Sequence, residues 1–292
     1  TDDAASTKPV TYSNQVARIL QKRCQNCHRP GQVAPFSLLN YEEAKSWAET
    51  IKEVVTERRM PPWFADRTVG KFANDRSLSQ DEIDTIQNWI DAGTPKGVDR
   101  DLPEPIKFVE GWRIGQPDVV LSMPKDFDVP ATGVLGYRNF QIASNFDEDK
   151  WIQAVELRAG AAPVVHHILM SVHPPEEAKG GRPRERSSQS DLQALGFFAA
   201  LAPGNVPFSF PPGFGKKIPK GSIINFQMHY TPNGTAQTDR SSVGLIFAKE
   251  PVHTEVRTRG IFTQFFAIPP GADNFEVTGA AYRFPQDSTV LS

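Results

Sequence analysis

The hydrophobic period of the chain changes once, across a proline-rich stretch at 94–107, and this change constrains the fold more than any other feature. Before it, apolar residues recur at three- and four-residue spacing, as on one face of a helix. Tyr12, Val16, Ile19 and Leu20 form the first stripe. Ala44, Trp47, Ala48, Ile51, Val54 and Val55 form the second, with Asn40 placed to cap it and Glu43 at the capping-box position. Ile83, Ile86, Trp89 and Ile90 form the third, opened by Ser79 and Glu82 and stopped by Gly93 and Pro95. Pro95, Pro103 and Pro105 then stand among charges, the composition of a linker. Beyond it lie 16 of the 19 Phe and 17 of the 25 Pro, and short β-rich runs alternate with turns. The runs are Asp118–Ser122, Trp151–Leu157, Val164–Val172, Ile223–Tyr230, Val243–Ala248 and Glu255–Thr263. In the second, Trp151, Gln153, Val155 and Leu157 alternate with Ile152, Ala154 and Glu156, the two-residue period of a strand.

Helices followed by strands predict a multidomain α plus all-β chain: a small all-α domain, then an antiparallel β-sandwich or jelly roll. The expected division is a tail at 1–9, a helical domain at 10–98, a linker at 99–114, a β domain at 115–270 and a further, incomplete segment at 271–292. A length of 292 residues suits about two domains at roughly 150 residues each. Polar residues 174–191 read as a surface loop, and the positive charges of Lys179–Arg186 as a solvated part of it. Residues 1–98 carry 13 basic and 13 acidic side chains and residues 99–292 carry 19 and 21, so no basic half offers itself to nucleic acid. No apolar run approaches the ~18 residues of a membrane span.

Both cysteines of the chain lie in Cys24-Gln25-Asn26-Cys27-His28, directly after the first helical stripe. This is the attachment pattern of a c-type haem. Two thiols reach the two vinyl groups, and the adjacent residue puts an imidazole on the iron. The competing uses of Cys-x-x-Cys are weaker: zinc would want a second cysteine pair, and a thioredoxin-like motif would sit among β and α elements in alternation. The opposite axial ligand is expected to be Met or His, and upstream of the linker the remaining candidate is Met60, in Arg59-Met60-Pro61-Pro62-Trp63. Pro61 ends the second helix and frees Met60 from helical geometry; ordinary packing is the alternative use of such a methionine. Residues 10–98 therefore resemble a small class I cytochrome c domain, whose His/Met ligation raises the reduction potential and suits electron transfer. Trp47 and Trp89 are expected to pack in its core.

The other histidines are His166, His167, His173, His229 and His253. His166 and His167 stand together in Val164-Val165-His166-His167-Ile168-Leu169-Met170, and His229 lies in Phe226-Gln227-Met228-His229-Tyr230. Both segments are apolar and strand-like and are expected to be buried. The plain alternative to metal ligation is a set of core histidines bonded to backbone. On a regular strand His166 and His167 point to opposite faces, so a shared metal requires a bulge there. Three imidazoles suit copper, zinc, iron or nickel about equally. His173, before Pro174-Pro175, reads as a surface turn residue, and His253 as solvated.

His-His-Ile-Leu-Met followed by Gln-Met-His-Tyr is similar to the copper type II, ascorbate-dependent monooxygenases, the peptidylglycine α-hydroxylating and dopamine β-monooxygenase group. The resemblance covers about residues 115–270 and is carried mainly by these motifs. It implies a jelly roll whose electron-transfer copper is held by His166, His167 and His229. It also implies a second copper domain, a jelly roll with a His-x-His pair that activates oxygen, and residues 271–292 are expected to be its incomplete start. The chain holds no His-x-His and stops at Val290-Leu291-Ser292 in a strand-like run, so that domain is expected to be missing or on a separate chain. The disulfides of the animal enzymes have no counterpart here.

The expected function is that of a redox protein in which covalent haem c passes electrons to a copper site, supporting hydroxylation of an organic substrate in the complete enzyme. No catalytic residue is identifiable in the chain. The expected electron source is a redox partner protein or a small reductant. Two alternatives stand beside it: a non-catalytic electron-transfer cytochrome, and a subunit of a larger complex with the β domain as a docking module. Haem attachment and the polar start Thr1-Asp2-Asp3 lead to the expectation of a processed periplasmic or extracytoplasmic protein.

Overall fold

The fold is given by a computed structural model that describes residues 9–175 apart from 64, 67 and 73, residues 196–258 apart from 204 and 206, and residues 266–289 apart from 280, 282 and 284–287. The described chain is mostly β, with 26% strand against 18% helix. Its buried apolar side chains form two separate clusters, one among the helices and one among the strands. No helix among the described residues is long and apolar enough to cross a membrane.

The helical part runs through a π-helical turn at Tyr12–Val16, then α1 (Ala17–Arg23), α2 (Tyr41–Ser46), α3 (Ala48–Thr56) and α4 (Gln80–Asp91). Tyr12, Val16, Leu20, Ile51, Val55, Ile83, Ile86 and Trp89 meet in its core. Helix α4 begins on a complete capping box, with Glu82 N–H donating to Ser79 Oγ and Ser79 N–H to Glu82 Oε2, a device worth about 1 kcal/mol. It ends at Gly93, whose φ of 81° favours glycine. The second stripe departs from expectation. Glu43 Oε2 accepts from Leu39 N–H instead of Asn40 N–H, and the helix breaks at Trp47, where ψ is 12°. The break turns Trp47 out of the core. It is 39% exposed and stacks on Phe36 at 4.1 Å, while Trp89 is fully buried with its Nε1–H on Pro95 O.

The expected linker is fastened at both ends. Arg18 and Gln21 donate to the carbonyls of Asp101 and Glu104, and Arg29 lies over the Phe108 ring at 4.2 Å. At the far end, Arg113 and Ile114 N–H groups donate to Oε2 of the buried Glu156.

Twelve strands follow among the described residues: β1 (Val119–Ser122), β2 (Phe127–Val129), β3 (Arg138–Ala143), β4 (Lys150–Arg158), β5 (Val165–His173), β6 (Phe197–Leu201), β7 (Phe208–Ser209), β8 (Phe214–Ile218), β9 (Ile223–Tyr230), β10 (Gln237–Asp239), β11 (Ser242–Phe247) and β12 (Thr254–Glu255). One sheet has the order β1-β11-β4-β8-β12 with β7 beside β4, a second has the order β3-β9-β5-β6, and β10 pairs with β2. All pairs are antiparallel except β8 with β12. The two sheets share one apolar core, the layout of a β-sandwich. Along β9, Ile224, Phe226, Met228 and Tyr230 are buried in alternation with less buried neighbours, the two-residue period of a half-buried strand.

Strand β4 corrects the simple alternation. Its pairing with β11 skips Gln153, so Ile152 joins Val155 and Leu157 in the core. A bulge moves every later side chain to the other face. The strand-like run at Glu255–Thr263 contributes only Glu255 to a described strand, and 259–263 lie outside the described residues. Most of loop 174–191 and Val290–Ser292 also lie outside them. Among the described residues of 266–289 there is no strand.

Candidate functional site

Two groups of side chains carry chemistry. The first is built on the end of α1. Cys24 caps the helix, its N–H on Leu20 O at 2.8 Å, and the turn continues with Cys27 and His28 N–H groups donating to Cys24 O at 3.1 and 3.0 Å. Gln25, inside the turn, is buried and donates to Leu38 O. This short winding brings the thiols and the imidazole of Cys24, Cys27 and His28 into one turn. Both cysteines are free thiols. Burial pushes the Cys24 thiol up to about 12, helped by Cys27 and Glu82 and opposed by Arg23. Burial also raises Cys27, opposed by Arg76, Arg29 and Arg113.

His28 has its Nδ1 on Phe36 O at 3.2 Å. In the neutral ring Nδ1–H donates to that carbonyl, which leaves Nε2 with its lone pair, the state of a ligating histidine. Burial lowers the His28 pKa, and the Phe36 carbonyl partly offsets this. The turn therefore fits a haem: two unpaired thiols at the required spacing and an imidazole fixed with one nitrogen available. Met60 stands apart. Helix α3 has ended at Thr56, Arg58 takes a φ of 57°, and the Met60 side chain is 41% exposed. Among the described residues no hydrogen bond or ring contact joins Met60 to the Cys24–His28 turn.

The second group is the histidine triad. In the β5–β9 ladder, Val165 pairs with Tyr230 and His167 with His229. Two residues of β9 thus oppose three of β5, and His166 is the extra one. The burial pattern agrees: Val165 is buried, His166 and His167 both face outward, and Ile168 is buried again. The bulge therefore puts two consecutive imidazoles on one face, which a regular strand forbids. His229 lies on the same outer face of β9. One ring nitrogen from each of His166, His167 and His229 lies within 4.8 Å of the others. His166 Nδ1 and His167 Nδ1 are 3.2 Å apart, and the His167 and His229 ring centroids 5.0 Å.

The expectation that these histidines are buried is corrected here. Their strands are buried on the opposite face, whereas His166 is exposed and the other two half-buried. The surroundings disfavour protonation. The His167 pKa is lowered to about 4, by burial first and then by His229 and His166. That of His229 is lowered by burial and by His166. Neutral imidazoles are the form that ligates metal. His229 Nδ1 is buried and has no hydrogen-bond partner among the described residues, and a bound cation would relieve such clustering of lone pairs. The donor set and its spacing therefore fit one metal ion.

His173 is the last residue of β5, paired with Ile223 and 3.0 Å from Ser171 Oγ, so it belongs to the strand and not to a turn. His253 is exposed and bonds Thr254 Oγ1. Tyr137 escaped the sequence reading: its ring lies 5.1 Å from His229 and 5.8 Å from His167. Nothing in Gly136-Tyr137-Arg138 signals this, because β3 reaches the triad only through its pairing with β9. Phe36 escaped for a similar reason, since it meets His28 through its backbone carbonyl as well as its ring. A cavity of about 520 Å³ lies between α1 and residues 102–108, and none of the candidate ligands lines it. Comparison with known protein families and with curated proteins finds no match.

Proposed function

We propose that the chain is a redox protein with two centres: covalent haem c on Cys24 and Cys27 with His28 as axial ligand, and one copper ion on His166, His167 and His229. The observation that carries this reading is the β5 bulge, which sets three imidazoles on one face with a nitrogen of each within 4.8 Å of the others. Held by these residues, haem and copper would each supply one-electron chemistry, with electrons passing from the haem site to the copper site.

The chain's own residues do the rest. The Phe36 carbonyl fixes the tautomer and plane of His28. The two thiols sit at a helix end, where Cys24 packs against the core that holds Leu20 and Trp89. His167 and His229 are locked in register by the ladder, while exposed His166 leaves one side of the triad open to solvent. In this proposal residues 10–98 form a class I cytochrome c domain with Met60 as the second axial ligand. The β-sandwich is a jelly roll of the copper monooxygenase type. The work of the whole is to feed electrons to hydroxylation of an organic substrate by a second copper domain, outside the cytoplasm. The donor is a partner protein or a small reductant.

Metal analysis of the purified holoprotein is the test. The expected content is about one copper per haem, given a single three-histidine set. A full complement of haem with no copper, even after incubation with copper salts, retires the copper half of the reading and favours a plain electron-transfer cytochrome.

A further inference from the structure

Asp239 closes β10 and is completely buried. Its Oδ2 accepts from the Tyr230 hydroxyl at 2.8 Å, its Oδ1 accepts from Ala161 N–H at 2.8 Å, and the Ser241 hydroxyl lies 3.1 and 2.9 Å from the two oxygens. Its neighbour Arg240 turns away, toward Met123 O and Asp126. Among the described residues its donors are all neutral, and a buried carboxyl group so held is costly to keep unless each donor is well placed.

The two residues it grips across the fold frame the histidine triad. The Ala161 carbonyl accepts from both Val164 and Val165 N–H at 3.1 Å, which fixes the start of β5 one residue before His166. Tyr230 follows His229 and is the residue that pairs with Val165. Thr231 N–H then closes the end of the ladder on Val164 O at 2.8 Å. Gly160 packs so closely on Arg240 that a Cβ there would lie 2.6 Å from the Arg240 backbone nitrogen. One carboxylate thus ties the approach to His166 and His167 to the exit from His229, and the bulge lies inside this bracket.

We propose that Asp239 is a positioning residue for the metal site. It does not touch the metal. Through Tyr230 and Ala161 it holds the two ligand strands in the offset register that puts His166 beside His167 and His229. The inference rests on the copper reading of the triad and adds how the chain sets the geometry of that site.

The test titrates copper(II) chloride into the full chain as wild type, Asp239→Asn and Tyr230→Phe, and records the copper electron paramagnetic resonance spectrum of each. Asp239→Asn keeps the shape and replaces an acceptor by a donor. Its copper affinity is expected to fall roughly 10- to 100-fold, the usual cost of losing an outer support of a metal site, with altered hyperfine splitting. Tyr230→Phe removes one of the bonds and is expected to cost about threefold or more on the same argument. A purely structural role would lower the melting temperature of the variants and leave the spectrum and affinity at wild-type values, and that result overturns the proposal. If Asp239→Asn does not fold, Tyr230→Phe decides: an affinity within about twofold of wild type, with an identical spectrum, overturns it. Absence of copper binding by the wild type overturns both this inference and the copper reading, whereas equal binding by all three chains overturns this inference alone.

Discussion

His167 stands directly opposite His229 in the β5–β9 ladder, and His166 is the unpaired residue beside it. The metal reading depends on this offset. In His229→Ala two imidazoles remain on one strand and the set is incomplete. Copper content is expected to fall from about one per chain to background, since a three-histidine site does not survive loss of one ligand. The haem spectrum should stay unchanged, because Cys24–His28 belongs to a separate core. Deleting His166 is the sharper version: it removes the bulge together with the ligand, so the sheet should keep its pairing while copper is lost. Metal analysis with an absorption spectrum of each variant reads both outcomes, and full copper retention in His229→Ala contradicts the assignment.

Met60 is placed by elimination in the sequence and stands on an exposed turn after α3 in the structure. If its sulfur ligates the iron, the ferric protein has a sulfur-to-iron charge-transfer band in the near infrared. Met60→Ala should abolish that band and lower the reduction potential, since methionine ligation raises it. An unchanged band in the variant shows that another group holds that side of the haem.

The helical part was the more legible one because its signals are local. The Ser79–Glu82 box, the stop at Gly93 and the stripe from Ile83 to Ile90 are each settled within a few residues. The strands around the triad were legible in their positions but not in their faces. Whether His166 points with His167 or against it depends on one extra residue in a ladder formed with a strand some sixty residues away, and no local pattern encodes that. Strands β3 and β8 escaped for a related reason: Arg138–Ala143 and Phe214–Ile218 carry too many polar residues to read as strands before their partners are known. Nothing in Thr238-Asp239-Arg240 marks Asp239, which is fully buried.

Trp47 separates the expected core packing from what the fold provides. The residue stacks on Phe36 with an interplanar angle of 14°, and Phe36 in turn lies 4.7 Å from His28. With 39% of its surface exposed, Trp47→Ala should cost about 1 to 2 kcal/mol of stability, the worth of a half-buried aromatic pair. A fully buried tryptophan would cost about 3 to 5 kcal/mol. Urea unfolding of the holoprotein distinguishes the two ranges. The same substitution should leave copper content untouched.

Lys216 gives a stability signature in alkaline solution that is independent of both candidate sites. It is 7% exposed, and its Nζ donates to Phe198 O at 2.5 Å and to Thr258 Oγ1 at 2.6 Å, above the Phe198 ring. Among the described residues no carboxylate pairs with it. Burial lowers its pKa from 10.5 to about 8. Between these two values the unfolded chain holds a proton that the folded chain has released, so stability rises with pH there, and below about pH 8 the protein bears the full cost of the buried charge. Other groups titrate in the same range, among them Cys24 if unmodified, so the quantity to follow is the difference between wild type and Lys216→Met. That difference should be flat from about pH 6 to about pH 7.5 and then move in favour of wild type by about 1.5 to 2 kcal/mol by about pH 9.5, at 1.36 kcal/mol for each unit of the window. Urea midpoints measured for both chains across this range supply the curve. A difference that stays level to about pH 9.5 would mean that the folded protein keeps Lys216 charged with an ordinary affinity for its proton.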